Sequence, residues 1–485
     1  MKHSASRLKI EYGDFQTPLE LAEQVCRKLI NLGVSPELVI EPTCGTGAFV
    51  EAAARAFPAA KRIVGVEINP EYLDDLRCRL KSARGYERVE LEQGDFFRTD
   101  WRDRLNQSNG DVLILGNPPW VTNSVQGVIG GVNLPGKSNF QSHRGLDALT
   151  GKSNFDISEW MLIQLSEMLR QRRGVLAVLC KTSVARKLLN HLHLTQAPVS
   201  KAAVFSIDAA KYFGVSVEAG LLYCCFGEAR TEFDYKVYSD LEAEDGALTG
   251  WRNKVMVRDL AAFDENRDLY GRSDYRWRSG IKHDCSEVME LRLINGTLVN
   301  GSGESVEIED TFLYPLLKGS DIANGRVAAT DRYLLVTQKN PKDDTRGIRD
   351  FAPKTWAYLE SHADYLDGRK SRIYRDSPRF SVFGVGSYTF SPWKIAICGL
   401  YKRLDFRLVG PLCGKPVVFD DTVYLLDFEL ESEAREVLSS LHSDRVQQFL
   451  ASMIFWDEKR PIKSTILNNL RLHDSRRKAG SLFTL

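Results

Sequence analysis

No run of this chain is apolar for long enough to cross a membrane, and its start, Met1-Lys2-His3-Ser4, is not followed by the apolar core of a signal peptide. No two of its cysteines stand in Cys-x-x-Cys spacing. That excludes a disulfide framework and a structural zinc site, and it predicts a protein of the reducing cytoplasm with no bound metal. A surplus of one charge is missing too: 65 Lys and Arg face 64 Asp and Glu, for a formal net charge of +1. A polyanion partner would therefore have to meet a local basic face that is balanced elsewhere. What remains is ordinary globular material, 43% hydrophobic and 27% charged, and its 485 residues are enough for two or three domains.

Within it, several apolar runs each end in a polar residue. Leu113 to Leu115 leads through Gly116 into Asn117-Pro118-Pro119-Trp120. The two prolines have no N–H, so the loop can turn carbonyl oxygens outward beside the Asn117 side chain. Two acceptors and the flat Trp120 ring suit a planar exocyclic amine. Leu38-Val39-Ile40 runs into Glu41-Pro42-Thr43-Cys44-Gly45-Thr46-Gly47 and then an alanine-rich helix, Ala48 to about Ala56. A second run, Arg62 to Val66, ends at Glu67, twenty residues after Gly47, where a carboxylate would accept from both ribose hydroxyls of an adenosine. A dinucleotide site shares that spacing. Here, however, Val50 stands where a third glycine would be, and Glu41 would oppose a pyrophosphate while suiting a cationic amino-acid group. The pattern therefore favours S-adenosylmethionine over NAD. A third run ends in Gly94-Asp95-Phe96, with Asp95 placed to accept from an adenine amine and Phe96 beside the ring. Upstream, Thr17 before Pro18 predicts a helix cap and a helix from Leu19 to about Leu32.

Residues 121 to about 155 form a long polar stretch, read as a substrate-facing loop that orders on binding. It holds a short repeat, Gly136 to Phe140 and Gly151 to Phe155. Its Gly131 to Ser138 fits the phosphate-loop pattern but lacks the flanking strand and helix. A helix from Ile157 and runs at Gly174 to Cys180, Ala203 to Ile207 and Gly220 to Phe226 complete a sheet of about seven strands. Phe213 lies between the last two and is placed by the sheet order near Trp120, across a bound base. Residues 236–284 predict a linker between a domain at 1–235 and another at 285–485. The second domain reads as short strands (Tyr314 to Leu317, Tyr333 to Thr337, Phe380 to Phe390) and C-terminal helices. Arg369, Lys370, Arg372, Arg375 and Arg379 gather around Tyr374 as a phosphate-tracking face.

Taken in order, Phe-x-Thr-Pro at 15–18, Glu-Pro-x-x-Gly-x-Gly-x-Phe at 41–49, Glu67, Asp95 and Asn-Pro-Pro-Trp at 117–120 resemble the gamma class of amino-methylating DNA methyltransferases from bacterial restriction–modification systems. Leu316 to Gly319, Ser391 to Lys394 and Lys459-Arg460-Pro461 resemble that family's target-recognition region. The resemblance implies a Rossmann-like seven-stranded α/β methyltransferase domain followed by a mixed α+β recognition domain with a helical C-terminus. It implies S-adenosylmethionine as cofactor, duplex DNA as partner, a separate restriction endonuclease, and transfer to the N6 amine of a flipped adenine. On the family's pattern, Asn117 and the carbonyl of Pro118 accept the amine hydrogens, while Pro119 shapes the loop and Trp120 and Phe213 hold the base. The cofactor would meet Thr17, Pro18, Glu41, Thr43, Cys44, Gly45, Gly47, Glu67, Ile68, Asp95, Phe96 and Asn117. The family more often ends its tetrapeptide in tyrosine, so no role for a hydroxyl carries over to Trp120. A cytosine carbon-5 enzyme would need a nucleophilic cysteine, usually after proline, and no Pro-Cys pair occurs. The alternatives are a methyltransferase of ribosomal guanine or protein glutamine, which usually lacks so long a following region, and a non-catalytic DNA-specificity subunit, against which the intact Asn117 and Glu41 argue.

Overall fold

The buried apolar runs form the centre of one sheet in a computed structural model that describes residues 15–81, 86–120, 156–227 and 233–472. The chain divides into two units, Met1–Leu260 and Ala261–Leu485. In the first, strands β1 (Leu38–Glu41), β2 (Arg62–Glu67), β3 (Val89–Gln93), β4 (Val112–Gly116) and β5 (Gly174–Lys181) run parallel in the order β3-β2-β1-β4-β5. Beyond β5, strand β7 (Ala219–Phe226) is inserted antiparallel between β5 and β6 (Val199–Ile207).

Strands buried on both faces read as continuous apolar runs because each face meets helices. Side chains alternate, so Leu38 and Ile40 enter one core with Val112 and Ile114, while Val39 enters the other with Leu113 and Leu115. The second core is closed by α1 (Leu19–Asn31), α2 (Ala48–Ala56) and α3 (Pro70–Lys81). The first is closed by α4 (Trp101–Asn106), α5 (Ile157–Leu169) and α6 (Thr182–Leu194). Strand order reverses between β1 and β4, so the crevice at their carboxyl ends is where an open α/β sheet binds ligands.

The sheet has ten strands where the sequence predicted about seven. Strands β8 (Tyr235–Tyr238), β9 (Gly246–Arg252) and β10 (Val255–Val257) come from the stretch expected as linker, and the two units meet in sequence at Leu260. These three strands are short and only partly buried, so none carries a long apolar run like those at the centre of the sheet. Trp251 anchors them: its ring stacks on His193 of α6 at 4.2 Å, and its Nε1 donates to Asn190 Oδ1 at 3.2 Å.

The second unit is mixed α+β. One sheet joins Arg278–Ser279, Val423–Phe428, Trp393–Cys398 and Arg407–Val409 in that order. A six-stranded sheet includes Glu290–Ile294, Arg332–Leu335 and Leu313–Leu317, and helices Glu431–Leu441 and Asp444–Met453 follow. The expected strand from Phe380 to Phe390 is instead irregular. Phe380 has φ +61°, and side chains already hold the backbone here. Thr337 donates to the Phe380 carbonyl at 2.7 Å, Arg369 to that of Ser381 at 2.7 Å, and Gln338 accepts from Val382 N at 3.0 Å. The expected loop at 121–155, with its repeat and its phosphate-loop pattern, lies outside the described residues. Among the described residues no helix is long and apolar enough to cross a membrane.

Candidate active site

The glycine turn after β1 is closed from within. Gly45 and Gly47 take left-handed φ of +51° and +86°, which an L side chain resists. Every backbone N–H from Cys44 to Gly47 is already donated. Cys44 donates to Val66 O, Gly45 to Glu67 Oε2 at 2.8 Å, Thr46 to Gln16 Oε1 at 2.8 Å, and Gly47 to Cys44 O at 2.7 Å. A pyrophosphate site needs such groups aimed at the ligand. This turn has none to spare, which argues against NAD independently of the glycine spacing.

The crevice instead presents oxygens. Among the described residues of this unit, the buried side-chain oxygens without a partner are Glu41 Oε2, Thr43 Oγ1 and Asn117 Oδ1. All three stand at the carboxyl ends of β1 and β4. Glu41 and the β4 end are in close reach: a Cβ built on Gly116 would lie 3.3 Å from Glu41 Cγ. Glu41 is 3% exposed, and burial, with the Glu67 charge adding to it, pushes its carboxyl well above the usual range.

Asn117 is held by the segment before α1. Its Nδ2 donates to the Phe15 carbonyl at 3.0 Å and to the Thr17 hydroxyl at 3.2 Å. A carbonyl only accepts, so the amide nitrogen must face Phe15, and Oδ1 is left as a buried acceptor without a partner. This revises the reading of Thr17. Pro18 is the cap residue of α1, there is no side-chain cap bond, and the Thr17 hydroxyl is engaged with Asn117.

Trp120 is buried, with Nε1 donating to Leu179 O at 3.4 Å. Phe213 ends the short helix α7 (Ala209–Phe213), and its ring lies 5.1 Å from Trp120 at an interplanar angle of 69°. The two rings are thus brought together, as the sheet order predicted, but they touch edge to face. A base between parallel faces needs about 7 Å, twice the ~3.5 Å contact distance, so the pair is not a preformed slot. Phe15 completes the cluster at 5.9 Å from Trp120 and 6.3 Å from Phe213.

Comparison with known proteins fits this geometry. Residues 39–114 match the model of a methyltransferase domain. The chain is 53% identical over 97% of its length, and 98% of the relative's, to the Type II methyltransferase M.NspV of Nostoc sp.. The chain belongs to the type II methyltransferases. These are the modification enzymes of restriction–modification systems, and the activity is S-adenosylmethionine-dependent methylation of DNA. A shorter match, 30% identical over 25% of this chain and 28% of the relative, is the Type II methyltransferase M.CvrRI of Paramecium bursaria Chlorella virus XZ-6E. In fold, 96% of the chain superimposes on 67% of the Type IIL restriction-modification enzyme MmeI, solved in complex with DNA, with a TM-score of 0.50 and 13% identity.

The methyltransferase's own residues fit this cofactor. The buried Glu41 carboxyl, which accepts from the Val50 backbone and keeps Oε2 without a partner, and the Thr43 hydroxyl suit a cationic amino-acid group, and the carboxylate of Glu67 suits ribose. Glu67 already accepts from Gly45 N and, at 2.9 Å, from Asn69 N, which fixes its orientation. Ile68 beside it is 43% exposed, an apolar surface open to a flat ring. Asp95 accepts from Phe97 N at 2.9 Å and pairs with Arg98 at 3.6 Å. Phe96 packs inward on Trp101 at 5.2 Å and on Phe97 at 5.6 Å. Cys44 also faces the core, where burial pushes its thiol far up, so it shapes the turn and offers no thiolate.

Two participants escaped the sequence reading. Gln16 accepts from both the backbone and the hydroxyl of Thr46, at 2.8 and 2.9 Å, and so ties the N-terminal segment to the turn. Lys181 ends β5 and donates to the Trp120 carbonyl at 3.0 Å while pairing with the buried Asp156 at 2.7 Å. Its signal was present: β5, like β1, β2 and β4, leads from a buried run to a polar residue at its carboxyl end.

Proposed function

We propose that this methyltransferase modifies the N6 amine of adenine in duplex DNA, reached by turning the base out of the stack. The observation that carries the reading is Asn117. Both of its amide hydrogens are engaged, and its buried Oδ1 is left as an acceptor. Adenine's amine lone pair is delocalised into its ring. Accepting the amine hydrogens, at Asn117 Oδ1 and the Pro118 carbonyl, draws the nitrogen toward tetrahedral geometry and aims that lone pair. The cofactor supplies an electrophilic methyl on a sulfonium sulfur. Trp120 offers a face for the base, and Phe213 must swing from its edge contact if it is to cover the other side. Glu41, Thr43 and Glu67 would bind the cofactor, with Ile68 and Asp95 around its base; Phe96, expected beside that ring, is committed to the core with Trp101. The second unit would read the target sequence, with Lys370, Arg372 and Arg375 on phosphates. A nuclease on a separate chain is the partner such a system calls for, and nine free cysteines suit the reducing cytoplasm.

The test is transfer of labelled methyl from S-adenosylmethionine to duplex DNA, followed by nucleoside analysis. N6-methyladenine is expected. N4-methylcytosine would keep the amine chemistry and overturn the base; methylated protein or RNA with unmodified DNA would overturn the reading.

A further inference from the structure

We propose that Thr17 is a positioning residue for methyl transfer: its hydroxyl, together with the Phe15 carbonyl, locks the Asn117 carboxamide with Oδ1 toward the incoming amine. The proposal rests on the amine-methylation reading above and adds a residue that acts only through Asn117. An unrestrained carboxamide can turn by half a revolution about its last torsion and present its NH2 to the target, where donor would meet donor. Two acceptors on one side, at 3.0 and 3.2 Å from Nδ2, oppose that turn, because it would bring Oδ1 against the Phe15 carbonyl oxygen.

The Thr17 hydroxyl is available for this duty because α1 does not use it; Pro18 occupies the cap position without a side-chain bond. The mount is rigid. Helix α1, directly after Thr17, buries Leu21, Ala22, Val25 and Leu29, and Gln16 on its other side is fixed to Thr46. Thr17 and Asn117 are 100 residues apart in sequence, so the contact exists only in the folded crevice. Removing one neutral hydrogen bond while the Phe15 carbonyl remains should leave the amide correctly turned only part of the time. That lowers turnover and leaves cofactor binding alone.

The experiment compares wild type, Thr17→Val and Thr17→Ser in labelled methyl transfer to duplex DNA, with affinity for S-adenosylhomocysteine measured by calorimetry. Thr17→Val should lower kcat roughly three- to tenfold, the scale of one net hydrogen bond, with unchanged KM for the donor and unchanged product affinity. Thr17→Ser should restore kcat. In an Asn117→Ala background, Thr17→Val should change nothing further. Should the valine variant fail to fold, judged by its thermal unfolding, Thr17→Ala takes its place. Weakened donor binding with intact kcat would make Thr17 a cofactor ligand and overturn the proposal. So would an equal loss in the Asn117→Ala background, or a serine variant as poor as valine. The nucleoside made by wild type separately tests the reaction itself, so the two failures are distinguishable.

Discussion

At the scale of single residues the site is a set of oxygens held without partners. Asn117 Oδ1 would accept from an amine most strongly as its nitrogen becomes tetrahedral, so its loss should fall on turnover. Asn117→Ala is expected to cut methyl transfer on the order of 10²-fold or more, the scale of one aligned polar group in a transition state. S-adenosylhomocysteine affinity should barely change; wild-type turnover in that variant would remove Asn117 from the chemistry. Glu41 yields a different prediction. Burial raises its pKa above the ordinary carboxylate value, which disfavours the charged form while no cation stands beside it. A bound ammonium would favour the ionised form, so its pKa falls in the complex and binding releases protons. Affinity for S-adenosylmethionine should therefore rise with pH between the lower pKa of the complex and the raised pKa of the free protein. The comparison belongs below about pH 7, where the ligand's amino group stays charged. Glu41→Gln should weaken binding by roughly 10- to 100-fold, the loss of a charge-assisted bond, and flatten the pH dependence. Calorimetry across pH, in buffers of different ionisation heat, measures both; a flat wild-type profile would separate Glu41 from the ammonium. Glu41 and Asn117 were legible because each ends a buried run. Thr17 was misread because a cap is a local pattern, whereas its real partner is fixed only by the fold.

At the scale of elements, the glycine turn shows how the same residues can be found for an incomplete reason. Gly45 and Gly47 were named as cofactor contacts on the family's pattern. Yet a Cβ on Gly47 would collide with the Leu76 side chain of α3, and its φ is +86°. The glycine is needed first for the turn's packing against α3, and the turn's donors serve to hold Glu67 and Gln16 in place. Gly47→Ala should therefore destabilise the fold by about 1–3 kcal/mol through left-handed strain and overpacking. The expected result is a lower denaturant midpoint, measured without ligand. If the midpoint is unchanged while cofactor affinity drops, ligand approach is the main constraint. Periodicity located the parallel centre of the sheet because β1, β4 and β5 are buried on both faces. It missed β8 to β10 because short, partly exposed strands carry a weaker signal than strands buried on both faces. It overread Phe380 to Phe390, where the apolar residues are real but side chains, and not a neighbouring strand, satisfy much of the backbone.

At the scale of the whole molecule, a net charge of +1 leaves DNA binding to local faces, and the second unit divides its arginine cluster into two kinds. Arg369 is internal. Its guanidinium lies 3.7 Å from the centre of the Tyr374 ring and donates to the carbonyls of Leu366, His283 and Ser381. Burial lowers its pKa, and through its bond to the Ser381 carbonyl it braces the irregular segment that holds Phe380 at φ +61°. Arg379 is spent on Asp367 at 3.0 Å. Lys370, Arg372 and Arg375 are exposed on the same stretch. Composition alone could not make this division, because all five cations look alike until their neighbours are known. If this face tracks phosphates, Arg372→Ala and Arg375→Ala should weaken binding about equally for specific and unrelated duplexes. Each should lower the slope of log affinity against log salt by about one unit. Arg369→Ala should instead lower the unfolding midpoint, since it strips three carbonyls of their donor. Titration of labelled duplexes across salt, beside thermal unfolding of the same variants, separates the two roles. Unchanged affinity and slope for Arg372→Ala and Arg375→Ala would make this a solvated face and move the DNA contacts elsewhere in the molecule.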